Sequence, residues 1–144
     1  MVCLYCGSST FVINSRHQKR SNNVWRRRQC EKCGATLTTI ESFDYSKGLM
    51  LQRSDNKLVA FKREKLFLSI YKSCEHRKKA LDDAIELTQT VIEKVMQPNP
   101  SSTGKLPVSL LANTTFETLK NFDKVSAIQY SAYHSEYVSQ NTLL

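Results

Sequence analysis

The first forty or so residues carry short apolar stretches and alternating positions, a pattern typical of β-strands. Phe11-Val12-Ile13 is apolar and β-branched, and residues 35–41 (ATLTTIE) alternate between small or apolar and polar side chains. Both segments predict strands. Residues 42–48 (SFDYSKG) lose the alternation, and we expect them to form a linker.

Beyond residue 48 a short β pattern gives way to a helical one. Two apolar runs, 49–53 and 58–61, flank Ser54-Asp55-Asn56-Lys57, which predicts a β-hairpin because Asn56 tolerates the left-handed conformation that such turns need. Apolar residues then recur at spacings of three and four, which predicts four helices, at 62–75, 80–96, 107–122 and 123–138.

The helical periodicity also predicts which side chains face the core. Asp123 is expected to cap the last helix, residues 97–107 hold all three prolines and are expected to form a loop, and residues 139–144 are expected to form a frayed tail. The expected inward residues of the four helices are Leu66, Phe67, Ile70 and Cys74; Leu81, Ile85, Thr88, Ile92 and Val95; Val108, Leu111, Thr115, Leu119 and Phe122; and Val125, Ile128, Ala132 and Ser135.

Four cysteines form two Cys-x-x-Cys pairs, and a glycine follows each pair. The pairs are Cys3/Cys6 before Gly7 and Cys30/Cys33 before Gly34, with 23 residues between them. Two-residue spacing aims two sulfurs at one point, and a glycine supplies the positive φ that such a turn needs. Four sulfur ligands suit one tetrahedral zinc ion per chain, so residues 3–34 predict a zinc ribbon that displays a basic loop.

The cysteine spacing is compatible with two other uses. A disulfide pair is typical of secreted mini-proteins, but MVCLYCGSS has neither a charged nor an apolar leader region, so we expect a cytoplasmic protein with reduced thiols. Iron in a rubredoxin-like site would use the same spacing, although the nearby cationic residues favour a binding role over electron transfer. The fifth cysteine, Cys74, is expected to be a buried core thiol.

Positive charge is concentrated beside the metal motif. Residues 1–34 hold seven Lys/Arg and one acidic residue, whereas the other 110 residues hold fourteen basic and twelve acidic ones. A basic excess on one small module indicates a polyanion partner, with nucleic acid favoured over a membrane. The expected contacts to double-stranded DNA are Arg26, Arg27 and Arg28, followed by Arg16 and Lys19, while Trp25 is expected to pack beside the cysteine turns or to stack on a base.

The sequence offers no catalytic constellation. His17, His76 and His134 have no nucleophile and acid placed around them and are expected at the surface, and no glycine-rich phosphate loop is present. No apolar run approaches the length that spans a membrane. We therefore expect a protein that is not an enzyme and has no membrane partner.

Several local motifs occur together in one order. The chain reads Cys3-x-x-Cys6-Gly7, Val12-Ile13-Asn14-Ser15-Arg16, Arg26-Arg27-Arg28-Gln29-Cys30-x-x-Cys33 and Leu37-Thr38-Thr39-Ile40-Glu41. Weaker matches follow in the helical part, at Phe61, Glu64-Lys65-Leu66, Cys74-Glu75-His76-Arg77, Asp123-Lys124-Val125 and Tyr133. In this order the chain resembles the NrdR-type transcriptional repressors of ribonucleotide reductase genes, over nearly its whole length.

The resemblance implies an α+β protein with two domains. A β-rich zinc ribbon over residues 1–45 would bind DNA, and a mainly helical ATP-cone with a β-hairpin, over 46–138, would bind ATP or dATP. These nucleotides would control homo-oligomerisation and hence operator binding. Arg53 and Lys65 would meet the phosphates, and the full set of expected nucleotide contacts is Leu51, Arg53, Asn56, Phe61, Lys62 and Lys65.

The chain departs from the family pattern in the hairpin. The family usually reads V-x-K-R-D-G there, whereas this chain has Arg53 in place of the lysine, Ser54 in place of the arginine and Asn56 in place of the glycine. Val59 also replaces an acidic residue. One basic phosphate partner is therefore missing from the usual set.

Three other functions remain open from the sequence. An enzyme fragment would need a catalytic cysteine set and a catalytic barrel, for which the chain has no room. A zinc-ribbon accessory protein of the transcription or RNA machinery would use its helical half only to dock on a partner. A rubredoxin-like electron carrier would hold iron.

Overall fold

A computed structural model of the chain describes residues 1–19, 21–97 and 104–138. The chain divides into two compact units, Met1–Phe43 and Asp44–Leu144, called here the ribbon and the helical unit. The ribbon is built of β-strands and the helical unit combines a small sheet with helices, so the expected α+β class is confirmed. Among the helices that the structure describes, none is long and apolar enough to cross a membrane.

The ribbon is a three-stranded antiparallel sheet in the order β1-β2-β3, formed by Thr10–Gln18, Asn23–Cys30 and Thr36–Glu41. The two predicted strands are present, but β1 is longer than expected and β2 was not predicted. The segment between the cysteine pairs is therefore a β-hairpin, and the expectation of a basic loop is wrong, because Arg26, Arg27 and Arg28 pair with neighbours on both sides. A β-bulge between Val12 and Asn14 shifts the register of β1 against β2.

The ribbon has almost no apolar core. Within the described part of residues 1–43, only Cys3 and Cys30 are buried. Large apolar side chains such as Leu4 and Ile40 lie at the surface. A module of this size that buries so little apolar surface needs another source of folding free energy, which a structural metal ion supplies in such domains.

The helical unit begins with a short helix and a second three-stranded sheet. The expected linker contains one helical turn, α1 (Tyr45–Gly48), because Asp44 caps it by accepting a hydrogen bond from the Ser46 N–H at 3.0 Å. The predicted hairpin is present as β4 (Met50–Gln52) and β5 (Leu58–Ala60), and Asn56 has a φ of 62° in its turn, as expected.

A third strand of this sheet was not predicted. β6 (Lys105–Pro107) pairs in parallel with β4, in a segment that the sequence assigned to a loop. Just before it, Gly104 has a φ of +65°, and a Cβ there would lie 2.9 Å from the Gly48 carbonyl oxygen. Glycine is required at this position because the backbone passes too close for a side chain.

The four predicted helices are present and pack in a closed cycle. α2 contacts α3 and α5, and α4 also contacts α3 and α5. Ile70, Val91, Phe116 and Leu119 are almost completely buried at the centre, and Cys74 joins them as the expected core thiol. The helices are α2 (Arg63–Cys74), α3 (Ala80–Val95), α4 (Val108–Phe122) and α5 (Lys124–Tyr133).

The inward faces of three helices differ from the predicted ones. α3 buries Ala80, Ala84, Leu87 and Val91 beside the expected Thr88 and Ile92, so the expected burial of Leu81 and Ile85 is wrong. In α4, Phe122 is exposed, and in α5 Val125 and Ile128 are exposed whereas Ser126, Ala127 and Tyr130 are buried. Small residues where the helices touch allow the helices to pack closely. The buried face of each helix therefore includes these small residues and does not coincide with the positions of its largest apolar side chains.

Hydroxyl side chains in the core are hydrogen-bonded along their own helices. Thr88 donates to the Ala84 carbonyl at 2.6 Å, and Thr115 donates to the Leu111 carbonyl at 2.7 Å. The predicted cap of α5 is present, since the Asp123 carboxylate accepts from the Ser126 N–H at 2.8 Å. Across the described residues, every buried side-chain nitrogen and oxygen has a hydrogen-bond partner.

The observed face of α3 can be tested by two truncations of the same residue type. Leu87→Ala should lower the free energy of unfolding by about 2–5 kcal/mol, because it leaves a cavity in the core. Leu81→Ala, at a side chain that is 56% exposed, should change it by less than about 0.5 kcal/mol. Urea unfolding followed by far-ultraviolet circular dichroism measures both, and a larger loss for Leu81→Ala would contradict the packing described.

Candidate functional site

The structure brings the four paired cysteines of the ribbon together. The sulfurs of Cys3, Cys6, Cys30 and Cys33 all lie within 4.8 Å of one another. Cys3 and Cys33 are separated by 3.7 Å between their sulfurs, and Cys6 and Cys30 by 3.4 Å. Zinc–sulfur bonds of about 2.3 Å place the four sulfurs of a tetrahedral site about 3.8 Å apart, so the cluster has the size that zinc requires.

The two cysteine turns share one backbone geometry. The Gly7 N–H donates to the Cys3 carbonyl at 3.0 Å, and the Gly34 N–H donates to the Cys30 carbonyl at 3.2 Å. Both glycines have the positive φ that the spacing predicted, 71° and 70°. Each turn thereby aims two sulfurs at the same point. The antiparallel β-pairing of Thr10 with Cys30 holds the two turns side by side.

The thiols of the cluster differ in their affinity for protons. Hydrogen bonds from Ser8, first from its backbone N–H and then from its hydroxyl, lower the pKa of Cys6 to about 6. A hydrogen bond from the Ala35 backbone lowers the pKa of Cys33, but its contacts with the Cys30 and Cys6 sulfurs outweigh it and raise that pKa to about 12. Adjacent thiolates repel one another, and a divalent cation removes this conflict because a coordinating thiol is deprotonated outright.

The arginine run lies on β2 and is divided between the two faces of the sheet. Side chains alternate along a strand, so Arg27 shares one face with Trp25 and with Arg16, the partner of Trp25 on β1. Arg26 and Arg28 lie on the opposite face. Trp25 is half-buried, and it stands five residues before Cys30, about 16 Å along the strand. Its expected position beside the cysteine turns is therefore wrong.

The three arginines also differ in how much of their charge is available. Arg26 donates to the Glu41 carboxylate from two nitrogens, at 3.1 and 2.8 Å. Arg28 is half-buried and donates to the Thr39 hydroxyl at 3.3 Å. Arg27 is exposed, as are Arg16 and Lys19 on and beside β1.

Arg27 and Arg16 are therefore the cations best placed on one face to meet phosphates. An exposed guanidinium meets the planar geometry of a phosphate with two hydrogen bonds. Arg20 is one of the seven basic residues in residues 1–34, but it lies outside the described residues.

The helical unit contains a cavity of about 330 Å³ beside its small sheet. Strand, hairpin and helix residues from five segments contribute to its wall. The apolar and aromatic lining side chains are Leu51, Val59, Ala60, Phe61, Leu66, Val108, Leu111, Ala112, Tyr130 and Tyr137. This volume lies within the range of pockets that hold small ligands.

Five of the six expected nucleotide contacts line this cavity. Leu51 and Phe61 belong to its apolar wall, and Arg53, Lys62 and Lys65 supply its positive charge. Asn56 is not among the lining residues, because it occupies the turn of the hairpin, where its side chain accepts from Gln52 at 3.0 Å. No Asp or Glu occurs among the described lining residues, so the cavity combines an apolar wall with cations and suits an anionic ligand with an apolar part.

The aspartate nearest to these cations has another partner. Asp55 lies 3.9 Å from the Arg53 guanidinium and 3.2 Å from the Lys57 amine. The Lys57 backbone N–H lowers the pKa of Asp55 first, with further contributions from the Lys57 side chain and from Arg53. The two lysines of the pocket remain unpaired with any acidic side chain that the structure describes.

Sequence reasoning missed four polar or aromatic residues of the cavity. Ser69 is on α2, Tyr130 on α5, and His134 and Tyr137 follow α5. His134 was expected at the surface, but it is half-buried and its Nε2 lies 2.6 Å from the Ser69 hydroxyl. Three of them, Tyr130, His134 and Tyr137, are about seventy positions from the hairpin along the chain, and no local motif marks any of the four.

The comparisons with known proteins agree with the ribbon and with the chain as a whole. Residues 1–41 match the family model of the Transcriptional repressor NrdR-like, N-terminal domain, a zinc ribbon. Proteins named Transcriptional repressor NrdR align with all of this chain. The relative from Thermoanaerobacter sp. (strain X514) is 27% identical with 89% of its length covered, that from Petrotoga mobilis 26% with 94%, and that from Clostridioides difficile 28% with 92%.

These relatives bear on two of the expectations. They are named as repressors, which are not enzymes, so the expectation of a non-enzymatic protein is confirmed. The four close cysteines together with the ribbon model support a metal site suited to zinc. The model accounts for the ribbon and the relatives align with the ribbon and the helical unit alike, so the chain is similar to NrdR-type repressors over its whole length.

Proposed function

We propose that this protein is a zinc-dependent, DNA-binding transcriptional repressor of ribonucleotide reductase genes, controlled by ATP or dATP through its oligomeric state. The observation that carries the proposal is the alignment of the whole chain with proteins named as NrdR repressors. The setting proposed is the cytoplasm, where thiols stay reduced and DNA is accessible in a bacterial cell.

The proposed metal is one zinc ion per chain, held by Cys3, Cys6, Cys30 and Cys33. Zinc supplies the ribbon with folding free energy that its exposed apolar residues do not provide. It also fixes the start of β1 against the end of β2, because the two cysteine turns flank these strands. The strand that carries the arginines is thereby held in one conformation.

The proposed DNA-binding surface is the face of the ribbon sheet that carries Arg16 and Arg27. Both are exposed, and the half-buried Trp25 between them is available to a sugar or a base. Lys19 extends the positive charge beyond the end of β1. Arg26 and Arg28 take a smaller part, since Arg26 is paired with Glu41 and Arg28 is hydrogen-bonded within the sheet. Phosphate contacts of this kind give position and affinity, and one of the arginines reaching a base edge would add specificity.

The proposed nucleotide site is the cavity of the helical unit. Its apolar wall at Leu51 and Phe61 suits an adenine ring, and Arg53, Lys62 and Lys65 suit a triphosphate. The chain lacks one of the basic residues usual in the family, at Ser54, but Lys62 and Lys65 lie at the same cavity. Asn56 belongs to the turn and has no direct part in binding.

The two activities are proposed to be coupled through assembly. A single ribbon with a few phosphate contacts binds DNA only weakly, at about 10⁻⁴ to 10⁻⁶ M. Several ribbons held in a fixed arrangement read several half-sites together, which raises the total affinity. If nucleotides change the assembly of helical units, they control DNA binding without touching DNA. The competing proposal, an accessory protein whose helical half only docks on a partner, predicts no response to nucleotides.

The zinc ligands can be tested by two sets of cysteine variants. Wild-type protein should contain one zinc per chain, and the Cys30→Ser, Cys33→Ser double variant should lose it, because two sulfurs cannot hold the ion tightly. Cys74→Ser is the matched control and should keep its zinc, since Cys74 is buried in the helical unit. Metal analysis of purified protein gives the result, and zinc retained by the double variant would contradict the ligand set.

The DNA-binding face can be tested by single arginine substitutions. Arg27→Ala should lower the slope of log affinity against log salt by about 0.9, the value for one phosphate contact, and Arg26→Ala should lower it less because of the ion pair with Glu41. Lys79→Ala, which removes an exposed charge from the helical unit, is the control and should leave the slope unchanged. Fluorescence anisotropy over a salt series measures the slopes. An unaltered slope for Arg27→Ala, or a greater loss for Arg26→Ala, would place DNA on the other face.

The nucleotide site can be tested within one hairpin and helix. Lys65→Ala and Arg53→Ala should each weaken ATP binding about 10- to 100-fold, the cost of a lost charge-assisted hydrogen bond of about 1.5–3 kcal/mol. Lys57→Ala is the matched control, because this lysine is in the same hairpin but does not line the cavity. Isothermal titration calorimetry gives the affinities. Equal losses for Lys57→Ala and Lys65→Ala would mean that general charge, and not this cavity, attracts the nucleotide.

A further inference from the structure

A second cavity adjoins the first and shares part of its wall. It has a volume of about 290 Å³ and is lined by Lys65, Leu68, Ser69, Lys72, Tyr133 and His134. Three of these, Lys65, Ser69 and His134, also line the cavity assigned to the nucleotide. The side chains of Ser69 and His134 therefore form part of the wall between two cavities, and both cavities are lined by basic residues.

His134 is held in this wall by contacts on two sides. Its Nε2 lies 2.6 Å from the Ser69 hydroxyl, which joins the end of α5 to α2. Its ring packs on the buried Tyr130 ring, with 4.4 Å between the ring centroids. The Ser69 hydroxyl suits both protonation states, because it can donate to a neutral imidazole nitrogen and accept from a protonated one. The ring can thus gain a proton without leaving its position.

The groups around His134 favour its neutral form while no anion is present. The charged residues that line the same two cavities as His134 are Lys65 and Lys72 from α2 and Arg53 and Lys62 from the hairpin side. The other titratable neighbours are Tyr130, Tyr133 and Tyr137, and α4 contributes only uncharged side chains to the wall. Among the described residues that line either cavity there is no carboxylate. Burial lowers the pKa of His134 from its ordinary value.

We propose that His134 is an anion-binding residue of the nucleotide pocket that takes up a proton when a polyphosphate ligand binds. The proposal rests on the nucleotide function proposed above and adds to it a dependence on pH. A ligand with several negative charges reverses the sign of the potential in a cavity lined by cations, and the charged imidazole then becomes the favoured form. The protonated ring gives the ligand one more positive charge, through the nitrogen that does not contact Ser69.

The sign of the pH dependence follows from linkage. Ligand binding raises the pKa of His134, so affinity must increase as pH falls through the pKa of the bound state. The increase approaches about tenfold per pH unit and ends below the lower pKa of the free state. Binding between these two values takes up as much as one proton per ligand.

The experiment is calorimetric titration of the full-length protein with ATP in buffers that differ in ionisation enthalpy, at several pH values. The difference in heat between buffers counts the protons taken up. His134→Gln is the matched variant, because its amide can bond to Ser69 but does not titrate. The phosphates of ATP titrate equally in both proteins, so the difference between the proteins belongs to His134. Wild type should take up as much as one proton more than the variant and should lose affinity more steeply as pH rises.

A second measurement uses the wild-type protein alone, in case the variant does not fold. The imidazole resonances of the three histidines, followed by nuclear magnetic resonance over pH, should show the pKa of one histidine rising when ATP is added. His17→Gln and His76→Gln assign the other two. A pKa of His134 that stays the same with ATP, or equal proton uptake by wild type and His134→Gln, would overturn the proposal while leaving the nucleotide site intact. If wild type binds no ATP at all, the nucleotide function fails, and the role of His134 fails with it.

Discussion

The ribbon depends on the convergence of four cysteine sulfurs within 4.8 Å. Its sheet buries almost nothing apart from Cys3 and Cys30 among the described residues, so hydrophobic burial cannot hold the strands together. A structural zinc ion contributes on the order of 10–16 kcal/mol in small domains of this kind. Such an ion would also neutralise sulfurs that otherwise compete for protons. A zinc ion at this site would account for the stability of the ribbon and for the fixed position of its arginines.

Strand geometry then decides how those arginines are used. Three consecutive residues on a strand cannot point the same way, so Arg27 is separated from Arg26 and Arg28. The pairing of Arg26 with Glu41 reduces the charge of its face, and the exposed Arg16 adds charge to the face of Arg27. In the helical unit, the hairpin and the start of α2 place Arg53, Lys62 and Lys65 at one cavity, and distant helices complete its apolar wall. The described lining residues include no carboxylate, although Asp55 pairs with Arg53 from the hairpin turn.

Local signals in the sequence predicted much of this structure. Cysteine spacing with Gly7 and Gly34, the hairpin at Asn56 and the four amphipathic helices were all recognisable, because each depends on a few neighbouring residues. The strand β2 was missed because its arginines were interpreted as loop charge, and β6 because its three residues pair only with a distant strand. The exposed faces of α3 and α5 were misplaced because the largest apolar residues there, such as Leu81 and Ile128, do not mark the packed side. His134 joined the pocket through tertiary structure alone.

The central claim is that nucleotides control DNA binding by changing how the chains assemble. The most direct measurement combines the molecular mass in solution, by gel filtration with light scattering, with operator affinity, for full-length protein without nucleotide, with ATP and with dATP. The account predicts that mass and operator affinity change together between these states. Linkage also requires operator DNA to change nucleotide affinity by the same factor. The same mass and the same operator affinity in all three states would contradict the account and would favour a helical unit that only docks on a partner.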